Sequence, residues 1–324
     1  MIASNRRVFL NASCIALATA ALPCGAQGQY PSKPIRLIVP FPPGGSTDQI
    51  ARVLSTELGA ALGQPIVIDF KPGADGVIAG EAVMRASPDG YTLLMGTATG
   101  FSAAPVMHKS IPYDPVADFT PISRIGTFGF FLLVSEDLPV KSIAELISYA
   151  RSNPGKLNCG TATGTAVMAT AQLAHVANLK IVQIPYKGDG PLIVDAIAGH
   201  VHMAFAAGGP ALPHIRSGKL RALATLMPER SSLLPEVPTL SQAGVNLSIT
   251  PWTGLFGPRG LPDEVINKLS REMVRIMARG DIRDQLENLS FGPKGSTPSE
   301  LRSFVGDQLG IWKKVASDAG FRPE

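Results

Sequence analysis

Short apolar, β-branched runs alternate with segments of helical spacing through the first two-thirds of this chain, and that alternation most narrows the folds open to it. The runs Ile35–Val39, Ile66–Phe70, Thr92–Gly96, Phe130–Ser135, Lys156–Cys159, Ile181–Ile184, His202–Ala206 and Leu220–Leu226 read as strands. Helical patterns lie between most of them, so the fold class is α/β with parallel sheets. Ser142-Ile143-Ala144-Glu145 is a capping box, and Asn153-Pro154-Gly155 stops the helix it opens. The last quarter is helical. Val265, Ile266, Leu269, Met273, Ile276 and Met277 form one apolar stripe, opened by Pro262-Asp263-Glu264. Thr297-Pro298-Ser299-Glu300 opens a second, carrying Leu301, Phe304, Ile311, Trp312 and Val315. Both read as core packing, because Glu264, Glu272 and Asp307 break up the basic face that a membrane-surface helix needs.

The first 26 residues stand apart from this pattern. Arg6 and Arg7 precede an apolar stretch from Ala12 to Leu22, and Cys24-Gly25-Ala26 offers a small-residue cleavage site. That is the layout of a cleaved secretory leader. Arg6-Arg7-Val8-Phe9-Leu10 also resembles a twin-arginine signal, and an ordinary export route fits equally. Cleavage there leaves Cys159 as the one remaining thiol, so no internal disulfide is expected and the core alone stabilises the fold. A chain of this length buries roughly 75% of its unfolded surface, which suffices. The 29 basic and 25 acidic side chains nearly cancel, which gives no case for nucleic acid or an anionic membrane as partner. No later apolar stretch reaches the ~18 residues of a spanning helix, so no direct membrane insertion is expected.

One turn carries the first functional signal. Pro40-Phe41-Pro42-Pro43-Gly44-Gly45-Ser46-Thr47-Asp48 links the first strand to a helix bearing Ile50, Val53, Leu54, Leu58 and Leu62. A helix start carries about half a positive charge and unpaired N–H groups, so such a turn can hold an anion without a cationic side chain. It can equally be a tight turn in which Gly44 and Gly45 supply positive φ and Ser46 or Thr47 caps the helix. Three more loops share its glycines and hydroxyls: Gly96–Phe101, Gly160–Thr165 and Pro185–Asp189. The pentapeptide Gly-Thr-Ala-Thr-Gly occurs in two of them, at Gly96–Gly100 and Gly160–Gly164. Ligands of open α/β sheets sit beyond the carboxyl ends of strands, where all four loops fall. Besides Asp48, only Lys187 and Asp189 bring charge to them. Backbone N–H groups and hydroxyls of this kind suit a small carboxylate, at about 1.5–3 kcal/mol per charge-assisted hydrogen bond. The Gly-Lys-Ser/Thr ending of a phosphate-binding loop is missing.

Catalysis finds little support. The sequence holds no Gly-x-Ser-x-Gly, His-Glu-x-x-His or Cys-x-x-Cys motif, so no catalytic residue, metal site or cofactor is assigned. His200 and His202 would share one face of a strand, with no cysteine or carboxylate at ligating spacing. Cys159 reads as a small buried core residue. Trp252 and Phe256 read as hinge packing or a ligand wall where the chain crosses back between halves.

The motifs at 40–48, Lys-Pro-Gly-Ala-Asp-Gly at 71–76, Ser-Pro-Asp-Gly-Tyr-Thr-Leu-Leu at 87–94, Pro-Tyr-Lys-Gly at 185–188 and Ala-Leu-Pro-His-Ile-Arg-Ser-Gly-Lys-Leu-Arg-Ala-Leu-Ala at 211–224 closely resemble the Bug family. These are extracytoplasmic solute receptors of tripartite tricarboxylate transporters. The resemblance implies a type II periplasmic-binding-protein fold, with two α/β lobes and a ligand cleft between them. It implies a first lobe over 27–127, a second over 128–250, and a helical return to the first over 251–324. It further implies a periplasmic monomer that captures a small carboxylate by cleft closure and hands it to polytopic transporter subunits. The alternative output is a sensor feeding a membrane kinase. The ligand contacts it implies are Phe41, Gly44, Gly45, Ser46, Asp48, Thr97 and Thr99 on the first lobe. Thr163, Gly164, Thr165, Tyr186 and Lys187 are those on the second. Two departures from the family pattern stand out, His202 and Ala206-Ala207 where aspartates are usual. They remove a counter-charge for an ammonium and so favour a ligand without an amino group.

Overall fold

The computed structural model describes residues 30–247 and 249–323, so the leader expected at 1–26 lies outside the described residues. The strands are β1 (Ile35–Val39), β2 (Ile66–Phe70), β3 (Thr92–Thr97), β4 (Phe119–Phe128), β5 (Phe130–Ser135), β6 (Asn158–Thr161), β7 (Val182–Pro185), β8 (Met203–Ala207), β9 (Leu220–Thr225), β10 (Trp252–Pro258) and β11 (Phe291–Pro293). They form two sheets, ordered β11-β4-β10-β3-β1-β2 and β7-β6-β8-β5-β9. The eight expected strands are present, three of them shifted by one or two residues toward the C-terminus. β8 starts at Met203, so His200 and His202 precede the strand they were expected to share.

The sheets are mixed rather than parallel, which corrects the sequence reading. β1 runs parallel to β2 and β3, and β6 parallel to β7 and β8. β10 is antiparallel to β3 and β4, and β5 to β8 and β9. A parallel neighbour needs a crossover of a dozen or more residues. Between β4 and β5 stands only Gly129, so the chain enters the second sheet as a continuing extended strand.

Each layer follows from the side-chain alternation of a strand. Leu37, Val39, Leu93 and Met95 face one side of the first sheet and pack with Ile50, Leu54 and Leu58 of the helix Ser46–Leu62. Leu269, Met273 and Ile276 of the helix Asp263–Ala278 close the same layer. Ile38 and Leu94 face the other side, toward Leu301 and Trp312 of the helix Pro298–Asp318. Of the two expected capping boxes, the one at Thr297 closes in both directions, Thr297 accepting from the Glu300 N–H at 3.2 Å and Glu300 from the Thr297 N–H at 2.8 Å. Ser142 accepts from the Glu145 N–H at 3.2 Å, but the Glu145 carboxylate turns to the Lys141 N–H instead.

The two crossings between the sheets lie side by side. The Phe128 N–H donates to Pro251 O at 2.8 Å, and the Gly129 N–H donates to Ser290 O at 2.6 Å. A side chain at Gly129 would meet Ser290 Oγ at 2.2 Å, so the backbones approach there as only glycine allows.

Candidate functional site

The loop after β1 is shaped from within. Gly44 adopts φ +90, while Gly45 is extended at φ −86, so only the first of the two glycines needs its freedom. The Gly44 N–H donates to Asp48 Oδ2 at 2.8 Å, and the same carboxylate pairs with Arg52 at 2.8 Å. Asp48 is buried and turned back on its own helix. Expected among the ligand contacts, it lines none of the cavities described below, because the loop amide and Arg52 already engage it.

A second carboxylate reaches this helix from the other sheet. Asp189 opens the helix Asp189–Ile197 after β7, and its Oδ2 accepts from the Ser46 hydroxyl at a long 3.5 Å. Burial raises its pKa from the usual carboxylate range to about 6, while the Ser46 N–H and hydroxyl hold it from rising further. Among the described residues it has no ion-pair partner. The anion-attracting helix start thus draws an anion from its own chain.

The Gly-Thr-Ala-Thr-Gly loops also meet. Thr99 Oγ1 lies 3.3 Å from Thr165 Oγ1, across 66 residues of sequence. Thr163 caps the helix Gly164–Ala177 by accepting from the Ala166 N–H at 3.2 Å. Gly164 is buried against Ala103, Met107 and Thr99, so it is a packing position rather than a cavity wall. The last two residues of the first copy open a π-type turn, Thr99–Ala103, before the short helix Ala104–Met107.

Between the loops lie three adjoining hollows that share wall residues. The innermost, about 40 Å³, is walled by Phe41, Ser46, Thr47, Thr97, Thr99, Thr163, Thr165 and Asp189, with Phe128, Phe130, Ala207, Pro251 and Trp252 closing it. A neighbour of about 260 Å³ shares Phe41, Ser46, Thr47, Thr163 and Asp189, and adds Gly44, Gly45 and Lys187. An outer one of about 610 Å³ runs from Pro72–Gly76 to Tyr186, Lys187 and Gly188. Ten of the twelve expected residues therefore reach one or another of these walls, Asp48 and Gly164 being the exceptions. Tyr186 brings its ring rather than its hydroxyl, which donates to Asp195 Oδ2 at 2.7 Å. Lys187 is exposed at the rim.

Two polar atoms in the innermost wall have no partner among the described residues. Thr97 Oγ1 and Trp252 Nε1 are both buried and unpaired. A buried donor without a partner costs about 1–3 kcal/mol, a debt that a bound acceptor would remove. Trp252 was legible only as a choice between hinge and wall. It is wall, whereas Phe256 is core, stacked 4.6 Å from Phe101. Phe128, Phe130 and Pro251 escaped the sequence reading because they sit on strand ends and crossings that carry no glycine signature, while Thr47, read only as a possible cap, lines the wall from the first turn of its helix.

Elsewhere the reactive-looking groups are occupied. Cys159 is fully buried, 3.2 Å from Thr170 Oγ1, and burial pushes its thiol up to about 11. His202 pairs with Asn158 at 2.6 Å and His200 with Asp195 at 3.3 Å, so the two rings are held by different neighbours.

Residues 50–321 match the family described as tripartite tricarboxylate transporter family receptor. The chain is 36% identical over 314 residues to the protein BugT of Bordetella pertussis, across 94% of this chain and 95% of that one. It is similar to a solved R. palustris protein with adipate, at 32% identity and TM-score 0.88, covering 91% of this chain and 100% of that one. MatC from Rhodopseudomonas palustris with bound malate is 31% identical with TM-score 0.83, over 88% of this chain and 99% of that one.

Proposed function

This chain belongs to the tripartite tricarboxylate transporter receptor family, and on that premise we propose that it captures a small organic acid between its two sheets and delivers it to a membrane transporter. The observation that carries this reading is the inner wall: hydroxyls and an indole N–H converge from both sheets, and among the described residues Thr97 Oγ1 and Trp252 Nε1 have no partner. Donors arranged this way suit an acceptor with several lone pairs, which a carboxylate is. The adipate and malate held by the two R. palustris relatives have the same chemistry.

The ligand's carboxylate rests against Thr97, Thr99, Thr163 and Thr165, with Phe41 and Trp252 as its apolar walls. The lobes are 27–127 with 251–324, and 128–250, hinged at the paired crossings around Phe128 and Pro251. Contacts from both lobes favour the closed state, because only a difference in affinity between states can shift their populations. The protein works in the periplasm after removal of residues 1–26, binds without turnover and needs no cofactor. Among the described residues no helix is long and apolar enough to cross a membrane, so the polytopic subunits of the transporter supply the passage.

Thermal denaturation of the mature protein against mono-, di- and tricarboxylates and amino-carboxylates tests this. A ligand at a hundred times its Kd adds roughly 2.7 kcal/mol of stability. A panel in which no carboxylate of any kind raises Tm would refute the receptor reading.

A further inference from the structure

We propose that the site selects a carboxylate whose other end carries an ammonium, and that Asp189 is the specificity-determining residue that receives it. This rests on the receptor reading above and adds the ligand's second functional group.

The polar groups that line the inner hollow divide by chemistry. Thr97, Thr99, Thr163, Thr165 and Trp252 can all donate hydrogen bonds, and two of their polar atoms are unpartnered. Asp189 is the one carboxylate in that wall, and it borders both the innermost hollow and its larger neighbour. It is about nine-tenths buried and is met by no cation among the described residues. A carboxylate has about four lone-pair positions; the Ser46 hydroxyl and N–H fix the group and take up part of them, and because Asp189 lines both hollows the rest is left for a ligand. A buried charge without a partner is a costly arrangement. A ligand ammonium relieves it.

The nearby cation does not fill this role. Lys187, two residues away, is exposed and forms no ion pair among the described residues. Asp48, the other carboxylate near the loop, is already paired with Arg52. A dicarboxylate of the same length would set its second negative charge against Asp189, so one of the two would have to hold a proton. An amino-carboxylate meets donors at one end and the fixed anion at the other.

The test is calorimetric titration of the mature protein with straight-chain amino-carboxylates of three to six carbons and with dicarboxylates of matched length, repeated on D189N. The amide keeps the shape and a hydrogen-bond acceptor for Ser46 while removing the charge. At least one amino-carboxylate should bind the wild type roughly ten- to a hundredfold tighter than its matched dicarboxylate, the range of one charge-assisted hydrogen bond. D189N should lose most of that preference. Circular dichroism and Tm in the absence of ligand show whether D189N has folded, and D189E, which keeps the charge, should retain the sign of the preference. Dicarboxylates binding the wild type more tightly, or a preference unchanged in D189N, would overturn the inference and leave the receptor reading intact. Failure of both classes to bind would overturn the inference, and the wider carboxylate panel above then decides the receptor reading separately.

Discussion

Ser46 and Asp189 touch across the cleft: the hydroxyl at the start of the helix after β1 donates, at 3.5 Å, to the carboxylate at the start of the helix after β7. The contact joins elements of the two sheets, 143 residues apart in sequence, and places a carboxylate of the chain at an anion-attracting helix terminus. Several measurable consequences stem from it and from the packing around it.

Asp189 should cost the unliganded protein stability at neutral pH. Its folded pKa of about 6 lies above the unfolded value, so between about pH 4 and 6 the folded state binds the extra proton. Stability from this group therefore rises as pH falls through 6 toward 4, and is lost as pH climbs above 6. D189N removes that dependence and should be more stable than wild type at pH 7 by up to about 3 kcal/mol, several degrees in Tm. Paired melts at pH 4.5 and 7.5 check it; equal Tm differences at both would refute it.

Gly164 sits where the two Gly-Thr-Ala-Thr-Gly loops press together. A Cβ there would stand 2.9 Å from Ala103 Cβ and 3.1 Å from both Met107 Sδ and Thr99 Cγ2. G164V should hold the lobes apart at about 1–3 kcal/mol, weakening ligand roughly ten- to a hundredfold. Small-angle scattering with saturating ligand should then give a larger radius of gyration than wild type.

The two glycines after Pro43 should behave differently. A Cβ on Gly45 would meet only Asp189 Oδ2, at an ordinary 3.7 Å, and its φ suits any residue. G45V should keep the unliganded Tm and lose the ligand-induced shift, because its side chain enters the 260 Å³ hollow. G44V must bear φ +90, and should be destabilised by about 1–2 kcal/mol even without ligand.

Thr97→Val removes a buried hydroxyl that has no partner. Unliganded stability should hold or rise, while affinity drops about tenfold through the loss of one donor to the ligand. Titration and melting on the same variant separate the two effects.

The strands that went unread show where sequence pattern runs out. β4 holds Pro121 and Gly126, and β10 holds Gly254 and Gly257, residues that weaken a strand signal. They persist as strands because each lies between two others in the first sheet, where neighbours on both sides supply hydrogen bonds. β11, three residues long, has too few positions for any alternation to show. The helix Gly280–Asn288 was likewise missed, having little apolar surface beyond Ile282 and Leu286.

Local chemistry decides what lies within a few residues of itself, and there the sequence carried most of the signal. Alternating apolar runs placed eight strands, the Ser142 and Thr297 boxes placed two helix starts, and glycine with hydroxyls marked the loops that line the hollows. Tertiary structure alone decided which anion meets the Ser46 helix, that Asp48 turns away toward Arg52, and that Trp252 closes the wall. It also reopened the ligand question. The uncharged pair Ala206-Ala207 argued against an amino group, yet a carboxylate reaches the cleft on Asp189 from another strand's loop. Charges act through space, and distance along the chain does not measure the few ångströms over which a site is assembled.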